Sequence, residues 1–327
     1  MAALIGNAAA QSAFASAAAS GTLHHAWLLA GPEGVGKATF ARAAALRLLA
    51  DAAAPGTLAP GVDVPGSHPA RALMEAGSHP DFRVLSRLPK DAEKPDEDVA
   101  RSITIAQVRS LGAMFATRPS LSFRRVVVID SIDDLERGGA NALLKNLEEP
   151  PAGTVFLLVS HAPGRLLPTI RSRCRLLRFE RLSDQDVARV LRHELPEADE
   201  AEIGALVRAS DGTPGRGLRY AGLDIGGLDT AMAAILADGD AGNARRTALA
   251  KALSSKGAAP RYRAFLERAP SYIAEVARSR HGTPLAAALD AHSAARDLAG
   301  AAIGLSLDAQ ATVFEMGTLI AGLHAAA

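Results

Sequence analysis

Short apolar runs alternate with amphipathic segments through the first 180 residues of the chain. Segments such as 38–50 and 103–116, which separate these runs, repeat apolar residues with the period of a helix. Strands that alternate with helices predict an α/β fold with a parallel sheet covered on both faces. The predicted strands are AWLLAG (26–31), FRVL (82–85), RVVVID (125–130), TVFLLVS (154–160) and RLLRFE (175–180).

The strand signal stops near residue 180. The segment 183–195 begins with Ser183 as an N-cap and continues with helical spacing, and 201–210 predicts a second short helix. From about residue 226 to 327 the pattern predicts only helices, rich in Ala and Leu. We therefore expect three domains: an α/β domain (1–180), a small helical domain (181–225) and a larger helical domain (226–327).

Composition narrows the class of protein. The formal net charge is +1, so no global charge imbalance drives the chain onto nucleic acid or a membrane. The single cysteine, Cys174, excludes an intramolecular disulfide and is expected to be a packed side chain rather than a nucleophile. The Ala-rich start predicts a helix instead of a secretory leader, and no stretch predicts a membrane span, so we expect a cytoplasmic protein.

The segment GPEGVGKAT (31–39) follows a predicted strand and opens a predicted helix, which is the setting of a phosphate-binding loop. Its backbone N–H groups and Lys37 would surround phosphates. Ala38 stands where the motif requires a hydroxyl for Mg²⁺, and Thr39 lies about 100° further around the helix. Binding of ATP or ADP at this degenerate site is left open. The candidate residues are Gly31, Gly34, Gly36, Lys37, Ala38 and Thr39.

The strand 125–130 ends in Asp130, a candidate ligand for the nucleotide's metal ion. In an ATPase of this type an acidic residue follows and polarises water, but here it is Ser131, which cannot take up a proton at neutral pH. Asp133 and Asp134 are expected in the first turn of the next helix, where carboxylates suit the helix dipole. The missing hydroxyl and the missing base together predict that this chain does not hydrolyse ATP.

The segment GGANALLKNLEEPPAGTVFLLVSHAPGRLLPTIRSRCRLLRF (138–179) resembles the clamp-loader ATPases of the AAA+ class. In that family NALLK-x-LEEPP precedes a sensor strand and LLPTI-x-SRC follows it. The resemblance implies an AAA+ P-loop domain, a helical lid (181–225) and an all-α collar (226–327). It puts Ser160 at the first sensor position, where a hydroxyl is equally typical of a strand-end hydrogen bond. It also implies that Arg173 acts in trans as an arginine finger in a neighbour's ATP site; a solvated basic turn is the alternative.

Two further segments resemble the family only in part. GTPGRGL (212–218) is similar to its second sensor, but Gly215 stands where an arginine is usual and Arg216 comes one residue later. The segment 66–85 is similar to its zinc module without the cysteines, with Ser67 and Arg71 at the thiolate positions. His68 and His79 are expected to be surface or turn histidines, so no metal site and no zinc are predicted.

Ala38 and Ser131 group the chain with members of the family whose nucleotide motifs are damaged, rather than with the motor subunits, gamma and tau. The implied function is a non-hydrolysing ring member that helps place a sliding clamp on primed DNA. The implied partners are gamma or tau, the delta subunit, the clamp and the DNA, with no membrane. Two alternatives stay open: an active clamp-loader motor or other P-loop ATPase, and a small-molecule P-loop kinase.

Overall fold

A computed structural model describes residues 4–90 and 99–325 of the chain. Its contacts divide the chain into two compact units. The first unit runs to Val190 and includes Gly212–Gly215; the second comprises Leu191–Asp211 and the residues from Arg216 onward.

The first unit is built on a five-stranded sheet in which every pair of neighbouring strands is parallel, with the order β2-β3-β4-β1-β5. Each predicted strand is present, and the parallel α/β fold is confirmed. Ala30 is in register with Ser160, and Asp130 with Val159, so the carboxyl ends of the three central strands meet at one edge. The strands are β1 (Ala26–Ala30), β2 (Phe82–Ser86), β3 (Arg125–Asp130), β4 (Thr154–Ser160) and β5 (Arg175–Arg178).

Helices cover both faces of the sheet, because alternate residues of each strand point to opposite faces. Leu28 and Phe156 belong to an apolar cluster that includes residues of α4 (Ile105–Phe115) and α5 (Arg137–Glu148). On the opposite face Trp27 meets Phe14, 5.1 Å away between ring centroids. Phe14 belongs to α1 (Ala8–Ala19) and also contacts Phe40 of α2 (Lys37–Ala53). Each fully buried side chain of this size contributes roughly 1.5–3 kcal/mol.

Shorter elements complete the first unit. They are α3 (Pro69–Glu75), α6 (Pro168–Arg171) and two 3-10 helices, Ile132–Asp134 and Pro163–Arg165. The helix α7 (Asp184–Glu194) begins in this unit, and the hydroxyl of Ser183 accepts the N–H of Asp186 at 3.2 Å, which confirms the predicted N-cap.

Helices are the regular secondary structure of the second unit among its described residues, as the sequence predicts. Its core includes the buried Arg268, whose guanidinium pairs with Asp229 at 2.8 Å and Glu275 at 2.6 Å. The division into a lid and a collar at residue 225 stays a prediction. Among the residues described, no helix is long and apolar enough to cross a membrane. The helices are α8 (Glu200–Ser210), α9 (Pro214–Tyr220), α10 (Ile225–Asp238), α11 (Ala244–Leu253), α12 (Ala259–Arg278), α13 (Gly282–Leu305) and α14 (Ala309–Ala325).

Candidate nucleotide site and exposed arginine

The glycine loop lies between the end of β1 and the start of α2, as predicted. Gly34 and Gly36 have φ values of 78° and 98°, which glycine adopts at little cost. Gly31 is required for a different reason: a Cβ there would lie 2.1 Å from the carbonyl oxygen of Phe179. Gly36 is the N-cap of α2 and provides no side-chain cap, so the first N–H groups of the helix receive no side-chain acceptor from this position.

Lys37 is buried and turned onto its own loop, with only 2% of its surface exposed. Its Nζ donates to the carbonyl oxygen of Gly31 at 2.7 Å and also to that of Pro32. Burial lowers the pKa of Lys37 to about 8, although Asp133, Glu33 and Asp130 act in the opposite direction. The ammonium group is therefore part of the loop's interior and not a solvated charge at a helix start.

The second-sensor turn packs directly on this loop within the first unit. The N–H of Gly215 donates to the carbonyl oxygen of Gly34 at 2.9 Å. A Cβ on Gly215 would lie 2.8 Å from the Cα of Gly34, so no side chain fits where the family usually has an arginine.

Arg216 does not replace that arginine through its observed contacts, all of which lie in the second unit. Its guanidinium donates to the hydroxyl of Tyr220 at 3.0 Å, to the carbonyl oxygen of Glu267 at 2.9 Å and to the hydroxyl of Ser271 at 3.0 Å.

The end of β3 is organised by a residue that the sequence did not single out as a site residue, Asp133. Its carboxylate accepts the hydroxyl of Ser160 at 2.9 Å and that of Ser131 at 3.1 Å. It also accepts the N–H groups of His161 at 2.6 Å and Ala162 at 3.2 Å. Both candidate hydroxyls at this edge of the sheet are thus bonded to one carboxylate.

Asp133 and Asp134 lie in the first turn of the next helix, as predicted, but this helix is the three-residue 3-10 helix Ile132–Asp134, which precedes α5. The carboxylate of Asp133 accepts hydrogen bonds from the end of β4, from Ser160 and from the two backbone N–H groups that follow it. Neighbouring parallel strands bring their carboxyl ends together, which is the signal that could have indicated this contact.

The two carboxylates at this edge have opposite pKa shifts. Burial raises the pKa of Asp130, and this effect outweighs the nearby positive charges of Arg42, His161 and Lys37. Burial also acts to raise the pKa of Asp133, but its four hydrogen bonds outweigh burial and leave that pKa below the ordinary value. Asp133 is therefore the firmly ionised group, but its oxygens are committed to hydrogen bonds.

The predicted site residues lack side chains that metal-dependent hydrolysis uses. The loop keeps its glycines and Lys37, while Ala38 has no hydroxyl for Mg²⁺ and only Asp130 remains as a carboxylate ligand from the predicted set. Ser131 is 3% exposed and donates its proton to Asp133, so it cannot act as a general base.

Arg173 lies just after α6, and its side chain is about one-third exposed. Its Nη2 lies 2.7 Å from Oε1 of Glu148, and its Nη1 donates to the carbonyl oxygen of Thr169 at 2.8 Å. The neighbouring Arg175 stacks over the ring of Trp27 at 5.1 Å, so the arginines of this segment are not equivalent. The guanidinium of Arg173 is thus held by protein contacts and partly exposed.

In the segment 66–85, which resembles the zinc module, His and Arg side chains make hydrogen bonds and ion pairs within the protein. His68 accepts the N–H of Ala70 at 3.2 Å and caps α3, while Arg71 pairs with Glu75 at 3.6 Å. His79 lies in a turn but is buried, and it accepts the N–H of Asp81 at 3.2 Å. No cluster of three or more His, Cys, Asp or Glu side chains suited to a metal was found within residues 4–90 and 99–325.

Cys174 lies against the same apolar cluster as α5 and is half-buried. Burial raises the pKa of its thiol to about 12, which leaves almost no thiolate at neutral pH. Its environment agrees with the expected packing role.

The phosphate loop after β1, the aspartate that ends β3 and the strand order define an AAA+ type P-loop fold. A protein family described as "DNA polymerase III, delta subunit" matches residues 6–183, which is more than half of the chain. The chain belongs to this family.

Individual relatives match mainly in the same region. A protein called DNA polymerase III subunit delta' from Pseudomonas aeruginosa is 44% identical over 151 residues, or 46% of this chain and 41% of that protein. DNA polymerase III subunit gamma from Buchnera aphidicola is 33% identical over 180 residues, or 54% of this chain and 43% of that protein. The match to a solved gamma subunit-related protein from Thermotoga maritima covers 94% of this chain and 98% of that protein's chain. The two sequences are 16% identical, and the TM-score is 0.44. The chain thus matches less than half the length of these two curated relatives.

Proposed function

We propose that this chain is the delta-prime subunit of a bacterial DNA polymerase III clamp loader. In this role it hydrolyses no ATP itself and supplies Arg173 to the ATP site of a neighbouring motor subunit. The observation that carries the proposal is the combination of a held, partly exposed Arg173 with a phosphate loop that lacks its catalytic groups, in a chain of this family.

The absence of hydrolysis follows from two separate positions. Ala38 offers no hydroxyl to Mg²⁺, and the hydroxyl of Ser131 is bonded to Asp133 at 3.1 Å. A general base typically contributes about 10²–10⁴-fold to a rate. Loss of the base and the metal ligand together leaves a loop that could still hold phosphates of ATP or ADP but would not activate water.

Arg173 has the chemistry of a finger. A guanidinium is charged at every relevant pH and can contact two phosphate oxygens at once. In other P-loop enzymes an arginine supplied from a neighbour is worth about 10³–10⁵ in rate, because it stabilises charge on the transferred phosphoryl group. The proposed partners of this chain in the ring are the motor subunits, gamma or tau, and the delta subunit, with the sliding clamp and primed DNA as the complex's substrates.

The helical region 226–327 is the proposed collar. Several large apolar side chains of the second unit are exposed on and just after α13, including Ile303 at 63% and Leu305 at 74%. Exposed apolar groups of this kind are typical of contact surfaces between subunits.

Two measurements test the proposal. The purified chain should hydrolyse ATP no faster than background, and a ring reconstituted without it should fail to load the clamp onto primed DNA until the chain is added. A turnover comparable to that of a motor subunit, abolished by Lys37→Ala, would instead identify the chain as an active ATPase. Clamp loading that proceeds equally well without the chain would remove it from the loader.

A further inference from the structure

We infer that Glu148 is a positioning residue that presets the orientation of the Arg173 guanidinium before a neighbouring subunit's nucleotide reaches it. This inference rests on the proposed finger role of Arg173. It assigns a task to the first glutamate of the LEEPP segment, which the proposed function by itself does not use.

The guanidinium is held at two nitrogens from two different elements. Glu148, the last residue of α5, holds Nη2 at 2.7 Å, and the carbonyl oxygen of Thr169 in α6 holds Nη1 at 2.8 Å. Nη1 also donates to the hydroxyl of Ser172 at 3.4 Å. Contacts at two different nitrogens restrict the orientation of a rigid, planar group more than a contact at one nitrogen does. A guanidinium has five N–H donors, so donors beyond these three contacts remain for phosphate oxygens.

Packing fixes the two elements relative to each other. Leu147 of α5 and Ile170 of α6 are each 1% exposed and belong to the same apolar cluster. Cys174 packs against that cluster on the other side of Arg173. The segment that carries Arg173 is therefore anchored on both sides. Because this packing fixes the backbone of Arg173, the carboxylate of Glu148 needs to orient only its side chain.

Helix stability does not explain a glutamate at this position. A carboxylate in the last turn of a helix is disfavoured by the negative end of the helix dipole, whereas Lys145 in the same turn is favoured. Glu149 follows as the C-cap, and its backbone N–H donates to the carbonyl oxygen of Lys145 at 3.0 Å. Within residues 4–90 and 99–325, the ion pair with Arg173 is a compensating contact that Glu148 makes and the side chain of Glu149 does not.

Glu149 is therefore a matched control, because Glu148→Gln and Glu149→Gln remove the same charge one residue apart. Each variant is assembled with motor and delta subunits from the same organism, and the ATPase of the complete ring is measured with clamp and primed DNA. Glu148→Gln is expected to lower kcat about two- to fivefold, the range of a partly exposed ion pair, with KM for ATP unchanged. Glu149→Gln should leave both constants unchanged.

A double variant separates positioning from a general structural effect. In an Arg173→Ala background, Glu148→Gln should lower kcat no further, because its effect passes through the guanidinium. Glu148→Asp, which keeps the charge on a shorter side chain, should fall between wild type and Glu148→Gln. Melting temperature and ring assembly are followed for each variant and should match wild type.

These experiments distinguish a failure of the proposed finger role of Arg173 from a failure of the positioning role of Glu148. If Arg173→Ala itself leaves ring turnover unchanged, the proposed function fails and the inference falls with it. If Arg173→Ala slows the ring but Glu148→Gln behaves like Glu149→Gln, the finger stands and the positioning role is overturned. A rise in kcat on Glu148→Gln, or an equal loss in the Arg173→Ala background, would also overturn it.

Discussion

The hydroxyl of Ser160, a fully buried residue, donates to the carboxylate of Asp133 at 2.9 Å. Ser160 ends β4, and Asp133 follows β3, so this hydrogen bond joins two neighbouring strands at the edge of the sheet next to the phosphate loop. A hydroxyl expected at a sensor position is therefore engaged within the protein. Ser160 makes the strand-end hydrogen bond that the sequence also allowed, and its sensor role stays a prediction.

Asp133→Ala is predicted to lower the free energy of unfolding by about 2–4 kcal/mol at pH 7, because it leaves the hydroxyls of two buried residues, Ser131 and Ser160, without this acceptor. Urea-induced unfolding measures this change. Asp134→Ala is the control: its carboxylate pairs with Arg87 at 3.2 Å between partly exposed side chains. That pair is worth about 0.2–1 kcal/mol. Equal losses for the two variants would contradict the role given to Asp133.

The same comparison has a predicted pH dependence. Because the folded pKa of Asp133 lies below its ordinary value of 3.8, this group stabilises the fold above that pH. The stabilisation is lost as the pH falls through the folded pKa. The difference in unfolding free energy between wild type and Asp133→Ala should therefore be constant from pH 7 to 5 and shrink below about pH 4. A difference that grows on acidification would have the wrong sign.

Gly215→Ala is predicted to destabilise the first unit by about 1–3 kcal/mol, as expected for an added methyl group that meets fixed backbone. The new Cβ would lie 2.8 Å from the Cα of Gly34, which has no side chain to move aside. Gly164→Ala is the control, because a Cβ there meets nothing within 4 Å. Thermal unfolding of the two variants checks this, and a Gly215→Ala protein as stable as the control would show that the turn does not press on the loop.

Any adenine nucleotide held by the loop is predicted to bind more weakly at pH 9 than at pH 7. The pKa of Lys37 is lowered to about 8, so its positive charge is largely present at pH 7 and largely absent at pH 9. The loss should reach roughly five- to tenfold for ADP in a calorimetric titration. Lys37→Met should bind weakly at both pH values.

The same titration tests the missing metal ligand. Mg²⁺ should give the wild-type chain no gain in nucleotide affinity, whereas Ala38→Thr, which restores the hydroxyl, should acquire a dependence on Mg²⁺. A magnesium-dependent gain in the wild type would show that another group supplies the ligand.

Local patterns predicted the strands closely, since a buried parallel strand is a continuous apolar run. RVVVID matches β3 residue for residue, and the predicted strand 154–160 matches β4. The helices α3 and α9 were not predicted, because Pro69 and Pro214 open short helices in segments rich in turn residues. A proline suits the first turn of a helix as well as a loop, so composition alone does not separate the two.

The candidate site was only partly predictable. The glycine loop, Lys37 and Asp130 follow from spacing along the chain, and the structure brings them to one edge of the sheet. The roles of Asp133 and Gly215 depend on contacts between segments distant in sequence, which no local pattern encodes. The pairing of Arg173 with Glu148 depends on how α5 and α6 pack in the core. Nucleotide binding and the finger role stay predictions.

The most direct test of the proposed role compares two variants of this chain in an otherwise wild-type ring, by the steady-state ATPase with clamp and primed DNA. Arg173→Ala should assemble normally and slow the ring's turnover strongly, because it removes a charge that stabilises the neighbour's transition state. Lys37→Met should leave that turnover unchanged, because this chain's own site performs no hydrolysis. The opposite pattern, with Lys37→Met slowing the ring and Arg173→Ala leaving it unaffected, would contradict the proposed role.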